Sequence, residues 1–171
     1  EIGGVVGLLE KAEAVGCQNE GKITVKTTDN KAVGARHYIG GVVAVPQAAL
    51  VKDCVNRGAV DADFNEGGVA GTNGKQVWVG GIIGGRNGDV KDADGADVEN
   101  CQNYGNLSLN IDNTSNHYLA GIGGQPHCEA ASGITSGEKA GVRKITGCTN
   151  YGSLTKKLVA NLDQTGVDVK F

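Results

Sequence analysis

One seven-residue pattern occurs four times in this chain and leaves few folds open to it. Cys17-Gln18-Asn19-Glu20-Gly21-Lys22-Ile23 returns as Cys54-Val55-Asn56-Arg57-Gly58-Ala59-Val60. It returns again as Cys101-Gln102-Asn103-Tyr104-Gly105-Asn106-Leu107, and as Cys148-Thr149-Asn150-Tyr151-Gly152-Ser153-Leu154. The pattern is C-x-N-x-G-x-aliphatic, and successive cysteines lie 37, 47 and 47 positions apart. A fixed-period repeat of this length is the mark of stacked structural units, each too thin to bury its own apolar face.

Two further segments recur with it. An aliphatic G-G block appears as Ile2-Gly3-Gly4-Val5-Val6, Ile39-Gly40-Gly41-Val42-Val43 and Val79-Gly80-Gly81-Ile82-Ile83, with a degraded copy at Leu119-Ala120-Gly121-Ile122-Gly123. An aromatic precedes the last three blocks (Tyr38, Trp78, Tyr118), and His37 and His117 precede two of these aromatics. After each cysteine motif the chain alternates. Ile23 and Val25, Val60, Ala62 and Phe64, then Leu107, Leu109 and Ile111 are separated by polar or small residues. A period of two means a strand with one dry and one wet face. Each repeat thus reads as three short strands, and the whole as an all-β parallel β-helix of about four three-stranded coils. The crossover preference makes the right hand the expected one.

Composition agrees. Hydrophobic residues are 39% of the 171, glycines number 29 and prolines 2, which suits short strands and tight turns around a thin interior. The net charge of −3 is spread along the chain without a basic stripe, which argues against nucleic acid. No apolar run reaches membrane-spanning length. The chain opens at Glu1 and has no methionine, so residues 1–171 are expected to be one repetitive domain excised from a longer protein. Length variation falls between the G-G block and the cysteine, where Arg86–Glu99 and Gln125–Thr146 are long. Short helical turns are expected there over Leu8–Ala14 and Pro46–Val51. The glycine of C-x-N-x-G is expected to turn the chain with a positive φ.

The C-x-N-x-G motif alternating with an aliphatic G-G block resembles the GLUG-type repeats of bacterial surface and adhesin-like proteins, over roughly residues 2–155. That resemblance implies an extracellular β-helical region of a long cell-surface protein. GLUG repeats also accompany IgA1-specific metallopeptidases, but no H-E-x-x-H zinc motif occurs here, so peptidase activity is not implied.

Candidate chemistry is sparse. The repeat residues Cys17, Cys54, Cys101 and Cys148 admit disulfides or a metal-binding thiolate column. They form no C-x-x-C pair and no zinc-type spacing with histidine, so they read as a packed column of small buried residues. Cys128, beside His127, stands outside the repeat. Asn19, Asn56, Asn103 and Asn150 read as a hydrogen-bonded ladder, with Gly21, Gly58, Gly105 and Gly152 as turn residues.

The candidate ligand-binding residues are two aromatic columns, Tyr38–Trp78–Tyr118 and Tyr104–Tyr151, since a line of exposed rings suits the faces of a glycan. The first column lies beside a strand that reads as buried, which favours packing; the second lies near turns and is expected to be exposed. Asp92, Asp94 and Asp97, in an acidic loop around Gly95, are candidate calcium ligands, although the spacing fails the EF-hand pattern.

No nucleophile elbow, Walker loop or dinucleotide fingerprint occurs, and acids and bases do not gather at one position of adjacent repeats. The reading is a non-enzymatic extracellular surface module, an adhesin-like stalk or a glycan- or protein-binding solenoid. The alternatives are a carbohydrate-active β-helix enzyme, a polysaccharide lyase or hydrolase, and a pure structural spacer. Open solenoid ends would also permit end-to-end self-association. The sequons at Asn106 and Asn113 carry little weight for a bacterial chain. If the cysteines form a buried column, Cys54→Arg abolishes cooperative folding; unchanged thermal stability of that variant refutes the column.

Overall fold

A computed structural model describes residues 1–26, 36–64, 76–85, 96–111, 117–124 and 144–158. Four successive coils are laid on one another. The first comprises β1 (Ile2–Gly3), β2 (Val6–Glu10), β3 (Glu13–Val15), β4 (Gln18–Asn19) and β5 (Ile23–Lys26). The second comprises β6 (Arg36–Gly40), β7 (Val43–Gln47), β8 (Ala49–Lys52), β9 (Val55–Asn56) and β10 (Val60–Phe64). The third has β11 (Gln76–Gly80), β12 (Ala96–Glu99), β13 (Gln102–Asn103) and β14 (Leu107–Ile111). The fourth has β15 (His117–Ala120), β16 (Ile145–Thr146), β17 (Thr149–Asn150) and β18 (Leu154–Leu158). Every pairing is parallel and joins like position to like position, as Asn19↔Asn56, Asn56↔Asn103 and Asn103↔Asn150 illustrate.

The architecture is therefore an all-β parallel β-helix with finer facets than three strands per turn. Sheet I is β1-β6-β11-β15, sheet II is β2-β7, sheet III is β3-β8-β12-β16, sheet IV is β4-β9-β13-β17 and sheet V is β5-β10-β14-β18. Sheet II is continued by single bridges from Val43 to Ile83 and from Ile83 to Gly123. Among the described residues there is no helix. The helical turns expected over Leu8–Ala14 and Pro46–Val51 are corrected to strands β2–β3 and β7–β8. The reason is that backbone donors here look sideways to the adjoining coil: Lys11 N donates to Gln47 O at 2.9 Å. Lys11 and Ala48, at φ 48° and 47°, turn the chain between sheets II and III.

The expectation for the motif glycines is also corrected. The left-handed residues at the next corner are Gly16, Asp53, Asn100 and Gly147, each one position before the cysteine. The motif glycine answers a different demand, the closeness of stacked coils. A Cβ on Gly58 would run into the carbonyl of Gly21, and one on Gly105 into that of Gly58.

Burial follows the alternation. Val25, Val60, Ala62, Phe64, Leu107, Leu109 and Ile111 of sheet V pack against Ile39, Val77, Val79 and Leu119 of sheet I. A second core joins Val42, Val43, Ile82 and Ile83 to Ala14, Val51, Val98, Cys54 and Cys101. A third, smaller cluster lies on the other face of sheet I, where Tyr38 and Trp78 meet Ala44 and Val45 of β7. Neighbours in β6 therefore bury on opposite faces, Ile39 into one core and Tyr38 into another. Each fully buried aliphatic or Phe side chain contributes about 1.5–3 kcal/mol, so the stack is held mainly by these columns.

Steric crowding predicts a contrast between two rungs of one glycine column. Gly58→Ala should cost about 1–3 kcal/mol by overpacking. Gly21→Ala should be nearly neutral, because a Cβ there meets only Asn19 Oδ1, at 3.6 Å. Urea unfolding of both variants decides it; equal losses would place the requirement elsewhere.

Candidate functional site

The polar centre of each coil is the motif asparagine. Asn19 Nδ2 donates to Asn56 Oδ1 at 2.8 Å, Asn56 Nδ2 to Asn103 Oδ1 at 2.8 Å, and Asn103 Nδ2 to Asn150 Oδ1 at 2.7 Å. The same Nδ2 atoms also donate within their own coils, to the carbonyls of Gly21, Gly58, Gly105 and Gly152 at 2.8–3.0 Å. Asn56 and Asn103 are fully buried, and both amide hydrogens of each have an acceptor. The second glycine of the G-G block lies against this amide: a Cβ on Gly41 would overlap Asn56, and one on Gly81 would overlap Asn103. The two repeat motifs thus meet across the interior of one coil.

The cysteines line up beside the asparagines as free thiols. Cys54 N donates to Cys101 Sγ at 3.4 Å and Cys101 N to Cys148 Sγ at 3.3 Å. The thiols in turn meet carbonyls two residues back, Cys54 that of Lys52 and Cys101 that of Glu99, both at 3.2 Å. Carbonyl oxygens disfavour a thiolate. Cys101 is pushed well above the ordinary thiol range by its hydrogen bond to Cys54 and by burial, and Cys17 is raised by burial and its neighbour Cys54. Cys54 itself is lowered to about 6, chiefly by the hydrogen bond it shares with Cys101. Cys128 and His127 lie outside the described residues.

The aromatic columns separate by exposure. Tyr38 and Trp78 are 2% and 5% exposed, as the packing reading of their column expects, because sheet II folds back over them, and this burial takes them out of the candidate ligand-binding residues. Tyr118, partly buried, stacks on Trp78 at 5.8 Å, and Trp78 on Tyr38 at 4.8 Å. Trp78 Nε1 is buried without a hydrogen-bond partner, so the indole contributes area and stacking alone.

Tyr104 and Tyr151 are 41% and 61% exposed. They stack at 4.7 Å with their planes 11° apart, and the Arg57 guanidinium lies 4.9 Å from the Tyr104 centroid. Arg57 is held by Glu20 at 3.2 Å, and the Tyr104 hydroxyl donates to Gln102 Oε1 at 2.9 Å. In-register stacking turns ring faces toward each other, so Tyr104 is covered by Arg57 on one side and Tyr151 on the other. The second column is exposed as expected; Tyr104 presents its edge and hydroxyl, and Tyr151 is the more open of the two.

The outward face of sheet V is knitted from coil to coil. Ser108 Oγ donates to Asp61 Oδ1 at 2.8 Å, and Asn110 Nδ2 to Asp63 Oδ1 at 2.9 Å. Lys22, paired with Asp61, and Ser108 hold that carboxyl below its usual range. Of the candidate calcium ligands, Asp92 and Asp94 lie outside the described residues. Asp97, on β12, accepts a hydrogen bond from Lys144 N at 3.2 Å. Asn106 Oδ1 accepts from Ser153 Oγ at 2.9 Å, and Asn113 is outside the described residues. Sequence reasoning missed the Arg57–Tyr104 contact, although Glu20, Arg57, Tyr104 and Tyr151 share one motif position.

No family model, curated protein or solved structure matches the chain.

The asparagine relay yields a graded prediction. Asn56→Leu strands a donor of Asn19 and an acceptor of Asn103 in the interior, at about 1–3 kcal/mol for each unsatisfied group. Asn150→Leu, at an exposed rung, should cost much less. Chemical denaturation of the two variants measures the difference, and equal losses would refute the relay's buried role.

Proposed function

We propose that this chain is a non-enzymatic module of a bacterial cell-surface protein, an adhesin-like stalk with a lateral strip for binding glycan or protein. The observation that carries the reading is how the outward polar groups are engaged. Asp61, Asp63, Glu99, Arg57 and Asn106 each bond to a side chain of an adjoining coil. Such pairs tie rungs together, as a stalk requires, and point away from acids and bases converging on one substrate. The strip is Arg57, Tyr104 and Tyr151, residue types that carry binding energy at protein surfaces. Stacking fixes the tyrosine rings beforehand, so little rotamer freedom is lost on contact.

The test is incubation with polysaccharides and host glycans, with and without calcium, scoring both retention in affinity gels and new chain ends. Retention without cleavage, lost at least tenfold in Tyr104→Ala/Tyr151→Ala, is the expected outcome. New chain ends would instead establish a carbohydrate-active enzyme. If neither appears, glycan binding falls, leaving a protein-binding module or a spacer.

A further inference from the structure

The first coil is shaped to receive another coil on its open side. In the motif-glycine column, Gly58, Gly105 and Gly152 are each demanded by the carbonyl of the preceding motif glycine, which a Cβ would strike. Gly21 answers no such demand. A Cβ there meets only Asn19 Oδ1, at 3.6 Å, and Gly21 is not among the residues with a positive φ. Its N–H behaves in the same way. Gly58, Gly105 and Gly152 donate to the asparagine carbonyl of the preceding coil, whereas Gly21 N donates to its own Asn19 Oδ1 at 3.1 Å. Ile2, Val5 and Leu8 are 40–49% exposed, at positions where Ile39, Val42 and Val45 of the second coil are at most 1% exposed.

The last coil carries the complementary groups. Asn150 Nδ2 donates to Gly152 O. Its second hydrogen, the one with which Asn19, Asn56 and Asn103 reach the next amide, has no acceptor among the described residues. The carbonyls of Asn19, Asn56 and Asn103 each accept two N–H groups from the following coil; among the described residues that of Asn150 accepts none. Ile145 is 40% exposed where Val98, one coil back, is fully buried. The end strands β3 and β4, and β16 and β17, each pair along one edge only.

We propose that the chain stacks head to tail on a second copy of itself, the β16–β17 edge of one copy seating against the β3–β4 edge of the next. Asn150 then donates to Asn19 Oδ1, Gly21 N turns to the Asn150 carbonyl, and Ile145 closes over Ala14. Each contact repeats one made between every pair of adjoining coils within the chain. Gly21 is then glycine for the same reason as Gly58. Sheet I stays outside the joint, since Leu119 of the last coil is already buried. Charge neither drives nor forbids the contact. In this register Lys144 meets Glu13, whereas Lys156 and Lys157 meet Val25 and Lys26. The two surfaces differ, so the contact is heterologous and does not close at two copies. It depends neither on the tyrosine strip nor on a cell-surface setting.

Sedimentation velocity of the full chain from about 1 μM to about 1 mM tests the joint. The average mass should rise with concentration without levelling at two copies. Gly21→Ala sets a Cβ against the neighbour's Gly152 carbonyl and leaves its own coil undisturbed; Ile145→Lys puts a charge on the opposite surface. Each variant alone should stay monomeric to a roughly tenfold higher concentration or more, with urea unfolding confirming that it is folded. Mixed, the two should pair through the one joint left intact and stop at two copies. A chain that is monomeric throughout overturns the proposal, as does association that survives Gly21→Ala or a mixture of the variants that forms no dimer.

Discussion

The stack depends on a primary amide placed where two coils and two motifs meet. Asn56 accepts from the coil below, donates to the coil above and donates to its own Gly58 carbonyl. A carboxylate of the same size has no hydrogens to donate, and a hydroxyl has one; the amide alone has two donors and an acceptor on so short a stem. That economy has a steric condition. Gly41 must come so close to the amide that it can carry no side chain. The G-G block and the C-x-N-x-G motif are halves of one contact, and each is needed where the other occurs. The degraded fourth block obeys the same condition: Ala120 replaces the first glycine, but Gly121 is kept against Asn150.

In-register stacking that strengthens polar columns also limits what aromatic columns can present. Rings 4.7–5.8 Å apart and nearly parallel satisfy each other's faces. Stability and face-on recognition therefore compete at every aromatic position of the solenoid. Tyr38 and Trp78 lie wholly on the side of stability, whereas Tyr104 and Tyr151 keep their edges in water. A partner of this surface meets hydroxyls, ring edges and the neighbouring Arg57.

Much of this was legible in the chain. The repeat gave parallel stacking and register, and the alternation after each motif gave the buried face of sheet V down to Phe64 and Ile111. The corner before the cysteine was legible in principle. Gly16, Asp53, Asn100 and Gly147 are drawn from the residues that best tolerate a left-handed backbone, at one fixed offset. The corner at Lys11 and Ala48 has no such signal, because stacked neighbours impose that conformation on ordinary residues. The burial of Tyr38 was legible as the packing favoured for its column, but the element that covers it was not. Alternation assigns one face of β6 to the core, but only the tertiary return of β7 covers the other.

The cysteine column shows why a residue type can recur without reactive chemistry. At Cys101 and Cys148 the sulfur accepts a backbone N–H from the coil below and meets a carbonyl two residues back. Serine would satisfy both more strongly but would bring a more polar atom into the apolar core around Val51 and Val98. Alanine would leave the space empty and the N–H of Cys54 or Cys101 unmet. A thiol is apolar enough for the core and polar enough for the contact. In the surface setting proposed above, such thiols would face an oxidising medium. Burial counters it by keeping Cys54 and Cys101 from the medium, and at Cys101 the pKa is raised as well; Cys54, lowered by its hydrogen bond with Cys101, relies on burial alone.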